Sequence, residues 1–556
     1  MLRRVVSEAL EISRRLKKLE GEVEDILEGY DSSESGSFDT AVSVTSRSSE
    51  ECNGDHSDIG DLKNVKEPVS ILSLPDTILS QIFREVQSSE SCQEKDGCCF
   101  KSTVSTAAVA ESEDFKDALW SFHAPPLALS LVNVRFRRVA LEDPLLWNNV
   151  SNLMPLAKLQ NHLRLAGQSG LHVTLRLPSR DDRPLISRGS TYKQISALVA
   201  RSQDWVSLRL SGPVYREEDI GQLKKLSLPK LEELHIQDLY PGSRLVPNPG
   251  SSVSRKQFLS KWTLSSSLKI LTIPSDVLIS IDIPKIPVSL ESCTIVLEST
   301  NNLGAVLKFL RTSRALKHLK FVIKMNGLVE FKENFGREFI VHKKGCKLPH
   351  VKSLEIMYIS KDSLSGEQVP NLLPNFLSQL KLPVVEDLTL TLRFDLLQPY
   401  SVYGGFMSLI FPPEWGKALP VRRLHFRAVH KEACLWALAE LKATFPMIED
   451  VHIEQLYVPP EESIGGFEPY YHNAEKISGF RSLKLTIPTF ANHRTYEYCE
   501  TMLKLANLGI NDDLEQVSIE EVGCLEDVEI KSLEKEESME GLLKVSKSYR
   551  TRYGLH

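Results

Sequence analysis

One pattern, apolar-x-x-apolar-x-apolar, constrains the fold of this chain more than any other feature. It recurs eleven times, beginning at Trp205, Leu231, Leu268, Leu290, Leu316, Val351, Val385, Val421, Ile448, Phe480 and Leu514, with successive starts 22 to 37 residues apart. The last four residues of each hexad alternate apolar and polar as a half-buried strand does. Pro229, Pro349, Pro383, Pro420 and Pro446 stand one or two residues ahead of a hexad and punctuate the chain there.

The intervals carry helical patterns, at 303–310, 372–380, 434–441 and 496–505. A strand followed by a helix at a period above about 20 residues predicts a solenoid, each unit burying its apolar edge against the next. Residues 151–530 resemble irregular leucine-rich-repeat arrays, including those that follow F-boxes. Eleven matches make a different α/β layer fold the minority reading, and residues 531–556 are left as a tail. Between the final two apolar positions of the hexads lie Arg209, His235, Thr272, Thr294, Lys320, Glu355, Thr389, His425, His452, Lys484 and Ser518, all polar. They are expected on the concave face of a parallel sheet wetted on one side, either as a binding surface or as a merely solvated face.

The amino-terminal third reads differently. Leu2, Val5, Ala9, Ile12, Leu16, Leu19, Val23 and Ile26 alternate by three and four residues, which predicts a coiled-coil-like helix over 1–30. Its seam is read either as packing back on the chain or as self-association, or capture of a partner helix, through residues 2–26. Residues 31–68 are serine-rich and poor in large apolar groups, the composition of a disordered linker.

Order returns near residue 69. Pro75 and Asp76 suit the first turn of a helix whose apolar stripe is Ile78, Leu79, Ile82, Phe83 and Val86. A second helix is expected over 127–141, and a short third one from Pro144 holding Leu145, Leu146, Trp147 and Val150. Leu74-Pro75 with the stripe behind it, then Leu129 to Ala140, then Pro144-Leu145-Leu146-Trp147, resemble the F-box family over about 42 residues of the chain. A polar insertion at 87–124 departs from the compact family pattern and resembles a variant frequent in fungal proteins. The bland alternative is a small helical bundle in which Leu74, Ile78 and Trp147 are only core.

The resulting fold expectation is α plus α/β: an amino-terminal helix, a small three-helix F-box over 69–150, and an irregular leucine-rich-repeat solenoid with a parallel sheet. Sixty-seven Lys and Arg against 73 Asp and Glu give a net charge of −6, which argues against a nucleic-acid partner. No apolar run is long enough to span a membrane, and nine scattered cysteines without C-x-x-C spacing fit reduced thiols. Both point to an intracellular protein, cytoplasmic or nuclear.

Motifs for catalysis are missing: there is no G-x-S-x-G, P-loop, G-x-G-x-x-G or H-E-x-x-H. No enzyme, metal or cofactor is therefore expected. Cys92, Cys98, Cys99 and His123 match no zinc-finger spacing. His425 and His452 fall at equivalent places in adjacent hexads, about 4.8 Å apart if the strands are neighbours, flanked by Arg423 opposite Asp450 and Arg427 opposite Glu454. These six residues are the candidate target-binding patch, with a plain ladder of cross-strand pairs as the alternative.

The resemblance implies a substrate receptor of a cullin-RING ubiquitin ligase of the SCF type. Leu74, Pro75, Ile78, Leu79, Ile82, Phe83, Pro144, Leu146 and Trp147 would dock on the S-phase kinase-associated adaptor, and the repeats would hold a protein target. An interaction scaffold outside degradation is the alternative, and a hydrolase or transferase with a site on the concave face is a distant third.

Overall fold

The computed structural model describes residues 74–95, 125–177, 188–212, 223, 226–237, 262–278, 289–297, 303–324, 345–359, 376–393, 413–428, 444–456, 480–487, 516–521 and 543–547. The expected helix at 1–30, the linker at 31–68, residues 96–124 of the insertion and the helical patterns at 434–441 and 496–505 lie outside them. The chain divides into two compact units, Met1–Trp147 and Asn148–His556.

In the first unit, helix α1 (Asp76–Lys95) opens on Pro75, whose carbonyl accepts from the amides of Ile78 and Leu79. It runs nine residues past Val86, so the polar insertion begins inside the helix rather than after it. Where one helix was expected over 127–141 there are two, α2 (Pro125–Val132) and α3 (Val134–Glu142). Asn133 makes the break: its backbone is extended and its side chain accepts from the Phe136 amide at 2.7 Å, capping α3. A 3-10 turn, Pro144–Trp147, follows.

Leu79, Phe83, Phe136, Val139, Leu146 and Trp147 form the core of this unit, with the rings of Phe83 and Phe136 edge to face at 5.0 Å. Polar ties fix the pieces. Arg84 grips buried Asp143 through Nε at 2.7 Å and Nη2 at 2.9 Å, Ser80 donates to the same carboxylate, and Trp147 Nε1 donates to the Ala140 carbonyl at 2.7 Å. Burial pushes the Asp143 carboxyl up, but Arg84, Ser80 and the Leu145 amide outweigh it and hold the group below its ordinary range. At the other end, Asp76 receives Arg135 at 2.8 Å and Arg138 at 2.6 Å.

The second unit is built on one fourteen-stranded parallel sheet whose strands follow chain order. They are β1 (Asn149–Ser151), β2 (Leu171–Arg176), β3 (Trp205–Ser211), β4 (Glu233–Gln237), β5 (Ile270–Pro274), β6 (Ser292–Leu297) and β7 (His318–Lys324). The sheet continues with β8 (Ser353–Ile359), β9 (Asp387–Arg393), β10 (Arg423–Ala428), β11 (Asp450–Gln455), β12 (Ser482–Ile487), β13 (Gln516–Glu521) and β14 (Leu543–Lys547). Val150, expected in the third helix, is in β1. Strand β14 occupies what the sequence reads as a tail.

From β3 to β13 the hexads pair in register: Leu208, Leu234, Leu271, Cys293, Leu319, Leu354, Leu388, Leu424, Val451, Leu483 and Val517 are successive partners. From Leu208 to Leu483 none of these is more than 2 % exposed. From Trp205 to Leu485 the first and sixth hexad positions are buried as well, so each of these repeats adds three apolar side chains, each contributing roughly 1.5–3 kcal/mol of burial.

Helices α4 (Leu156–Ala166), α5 (Arg188–Val199), α6 (Ser275–Leu278), α7 (Leu303–Thr312) and α8 (Pro413–Ala418) occupy some connections. Others hold two-residue strands instead: Ser227–Leu228 pairs with Thr263–Leu264, and Cys346–Lys347 with Leu380–Lys381. The helix expected over 372–380 is accordingly cut short, because Leu380 already belongs to a strand. Cys293 and Cys346 are buried free thiols. Among the described residues no helix is long and apolar enough to cross a membrane.

Candidate functional site

Alternation along each strand puts one side chain in the core and the next on the opposite, outer face. The eleven polar residues of the hexads form one unbroken ladder there, Arg209 to Ser518, each the register partner of the next. All are half-buried except Thr272, which is buried.

The outer face is not wetted throughout. The row beyond this ladder runs Pro274, Val296, Val322, Met357, Thr391, and Val296, Met357 and Thr391 are 9 %, 6 % and 0 % exposed. Ile295-Val296-Leu297 and Ile356-Met357-Tyr358 are continuous apolar runs, which mark strands covered on both faces. The expected one-sided wetting therefore fails at this row, which continues through half-buried Arg427 and Glu454 to buried Thr486.

At β10 and β11 the expected register is found, with Arg423, His425 and Arg427 opposite Asp450, His452 and Glu454. The two imidazoles stack face to face, centroids 4.1 Å apart and planes 5° from parallel. His425 Nε2 lies 3.0 Å from Glu454 Oε2, and the Arg427 guanidinium reaches the same oxygen at 2.9 Å. His452 Nε2 meets the Thr486 hydroxyl at 2.8 Å. Burial pushes the Glu454 carboxyl up, but the His425 hydrogen bond and the Arg427 charge overcome it and hold the group down to about 2.

One expected pair is different. Arg423 does not bridge to Asp450 but turns to Asp387 on β9, donating from Nη2 to Oδ2 at 2.9 Å and from Nε to Oδ1. Asp450 instead accepts from the Ser482 hydroxyl at 2.8 Å. Asp387 stands at the same register position as Arg423 on the preceding strand, so hexad spacing makes it as close a partner as Asp450.

A second polar cluster on this face went unnoticed in the sequence. Ser207 donates to Glu233 at 3.1 Å, His235 Nε2 lies 3.9 Å from that carboxylate, and His235 Nδ1 is 2.9 Å from the Thr272 hydroxyl. His235 and Ser207 hold Glu233 down to about 2 against the upward push of burial.

In the helical unit the nine candidate adaptor-binding residues separate into two groups. Leu79, Ile82, Phe83, Leu146 and Trp147 are buried in the unit's own core, while Pro75, Ile78 and Pro144 are exposed and Leu74 is half-buried. Leu145, not among the nine, is exposed too. Of the cysteine and histidine set, Cys98, Cys99 and His123 lie outside the described residues. Among the described residues no group of three or more His, Cys, Asp or Glu could hold a metal ion.

A scan against protein-family models finds no match for this chain, and a search of curated proteins finds no similar one.

Proposed function

We propose that the chain is the substrate-recognition subunit of an SCF-type cullin-RING ubiquitin ligase, with residues 69–150 acting as an F-box and the sheet unit, read as an irregular leucine-rich-repeat solenoid, holding a protein target. The observation that carries this reading is the division of apolar side chains in the helical unit. Leu79, Phe83, Phe136, Val139, Leu146 and Trp147 close its core, while Pro75 just ahead of α1, Ile78 on α1, and Pro144 and Leu145 on the 3-10 turn after α3 remain exposed. Single exposed apolar groups are ordinary on a protein surface, and on this reading these four are the ones that the adaptor covers. On this reading the chain performs no bond chemistry; it raises the effective concentration of a target beside the ubiquitin-conjugating machinery.

Leu74→Ala with Pro75→Ala tests it. Both residues lie outside the core, and an alanine at 75 keeps the carbonyl that accepts the first α1 amides. Affinity purification from cells is expected to recover the S-phase kinase-associated adaptor and cullin with the native chain and to lose both with the double variant, while circular dichroism stays unchanged. Adaptor retained by the double variant refutes the F-box assignment. Adaptor absent from the native chain's complexes leaves the interaction scaffold.

A further inference from the structure

Helix α3 has two faces of different chemistry. Phe136, Val139 and Ala140 are buried in the helical unit, while Val134, Arg137, Arg138 and Leu141 fall at i, i+3, i+4 and i+7 and share the opposite face. All four are exposed, Val134 at 82 % and Leu141 at 43 %. Val132, the last residue of α2, adds another exposed apolar side chain just before Asn133.

The charge of this face is unevenly answered. Arg138 donates to Asp76 at 2.6 Å, but the Arg137 side chain donates to the Ser130 carbonyl at 3.0 Å and meets no carboxylate among the described residues. The helix as a whole holds Arg135, Arg137 and Arg138 against Glu142. An occupant that fits the stripe brings apolar groups at helical spacing with negative charge beside them.

One stretch of the same unit outside the described residues has that composition. Residues 19–28 carry Glu20, Glu22, Glu24, Asp25 and Glu28 without a single Lys or Arg, and Leu19, Val23, Ile26 and Leu27 fall at i, i+4, i+7 and i+8. Leu19 and Ile26, like Val134 and Leu141, are seven residues apart, about 10.5 Å along a helix. Gly21 weakens a helix here, so this stretch gains most from having its apolar edge covered. Residues 1–18 are basic instead, and 31–68 are poor in large apolar groups. Phe115, Leu119 and Phe122 also stand at helical spacing among acids, but Lys116 interrupts those acids and only His123 and Ala124 separate the segment from α2, which restricts where it can lie. Residues 29–73, at up to about 3.3 Å each, give 19–28 ample reach.

We propose that residues 19–28 dock as a helix on the outer stripe of α3 in the same chain, with Leu19, Val23 and Ile26 against Val134 and Leu141 and the acids beside Arg137 and Arg138. The contact is small. Tethering makes it intramolecular, so an interface too weak to hold a separate peptide is enough. The stripe contains none of the residues assigned to the adaptor, so the proposal goes beyond the ligase reading and does not depend on it.

The test uses the purified full-length chain with a photo-cross-linking benzoylphenylalanine in place of Val134, whose exposure keeps the substitution out of the core. Irradiation is expected to join position 134 to residues 19–28, as mapped by mass spectrometry of the digest, in a product of monomer mass. Glu24→Lys with Asp25→Lys is expected to lower the yield by about threefold or more, and Arg137→Glu alone to do the same. Combining the three is expected to restore part of the yield, which a variant that merely unfolds α3 would not do. A product at 96–124 or at any other segment, a product of dimer mass alone, or a yield indifferent to the reversals overturns the proposal. The dimer result would assign the stripe to a second copy of the chain. None of these outcomes bears on adaptor capture, so the ligase reading stands or falls separately.

Discussion

Replacing Glu454 by Gln removes the charge on which the outer patch is organised, and the structure fixes how the consequence varies with pH. The carboxyl is held at about 2 against an ordinary 4.5. At about 1.4 kcal/mol per tenfold change in proton affinity, the ceiling on its contribution is about 3 kcal/mol. The side chain keeps 16 % exposure and its partners His425 and Arg427 keep 32 % and 21 %, so solvent screening reduces this to roughly 1–2 kcal/mol. The group's proton affinity is depressed on folding, so its stabilisation is complete above about 4.5 and is lost as pH falls from there to about 2. Urea unfolding followed by the fluorescence of Trp205, Trp262 and Trp415, all buried in the sheet unit, reads the difference. The variant should be less stable by about 1–2 kcal/mol at pH 7, and the gap should close between pH 4.5 and pH 2. A gap that is constant with pH, or one that widens below pH 4.5, refutes the assignment of the shift to this ion-paired site.

Three further perturbations probe other links of the argument. Gly212 has φ +95° and a Cβ there would lie 2.3 Å from the Leu177 carbonyl oxygen, so Gly212→Ala should cost about 1–3 kcal/mol in the same assay, and a neutral result would refute the close approach of β2 and β3. Phe83→Ala opens a cavity beside Phe136 and should cost about 3–5 kcal/mol, read as faster hydrogen exchange over 74–95 and 125–147. Arg423 should couple to Asp387 by about 0.5–1 kcal/mol in a double-mutant cycle and not measurably to Asp450; the reverse result would restore the pairing expected from the sequence.

How much of the fold could be read in advance depended on how many constraints each repeat carried. The hexad marks three buried positions and one outward one, and from Trp205 onward its register is the register of the sheet. Strand β2 escaped because Gly170 stands three residues ahead of Val173, where the hexad's first apolar residue should be, although Leu171, Val173 and Leu175 alternate clearly. The pairing of β2 with β3 is shifted between Leu171 and His172, so this strand enters the sheet with a different offset from the rest. Strand β1 has three residues, too few for any periodicity to appear. At Asn133 the signal was present: an asparagine inside an apolar run is a favoured helix cap, and it divides what continuous hydrophobicity reads as one helix.

The candidate site was legible to the level of register and no further. The adjacency of His425 and His452 follows from pairing alone, but their stacking and the choice of Arg423 between Asp387 and Asp450 depend on side-chain direction, which spacing does not encode. In the candidate adaptor-binding set, the sequence identified apolar residues without distinguishing those that close the core from those that remain exposed. Phe83 and Ile78 look equivalent in an apolar stripe, and only packing against Phe136 separates them.

Repeats separated by 22 to 37 residues leave open what prevents a strand from pairing out of register, because every hexad offers the same apolar face to its neighbours. The second hexad position supplies an answer. Glu232, Lys269, Glu291, Lys317, Lys352, Glu386, Arg422, Glu449 and Arg481 stand side by side, each amide donating to the carbonyl of the one before. Their charges change sign at every step but one, between Lys317 and Lys352. Lys269 meets Glu232 at 2.8 Å, Lys317 meets Glu291 at 3.0 Å and Arg422 faces Glu449 at 3.8 Å. Such exposed pairs add little to stability. A slip of one residue would bury these charges and expose the apolar rows beside them, and pairing with the next strand but one would set like charges together in five of the seven cases. The row therefore penalises the wrong arrangements more than it stabilises the right one, which is how a sheet with irregular connections keeps a single register.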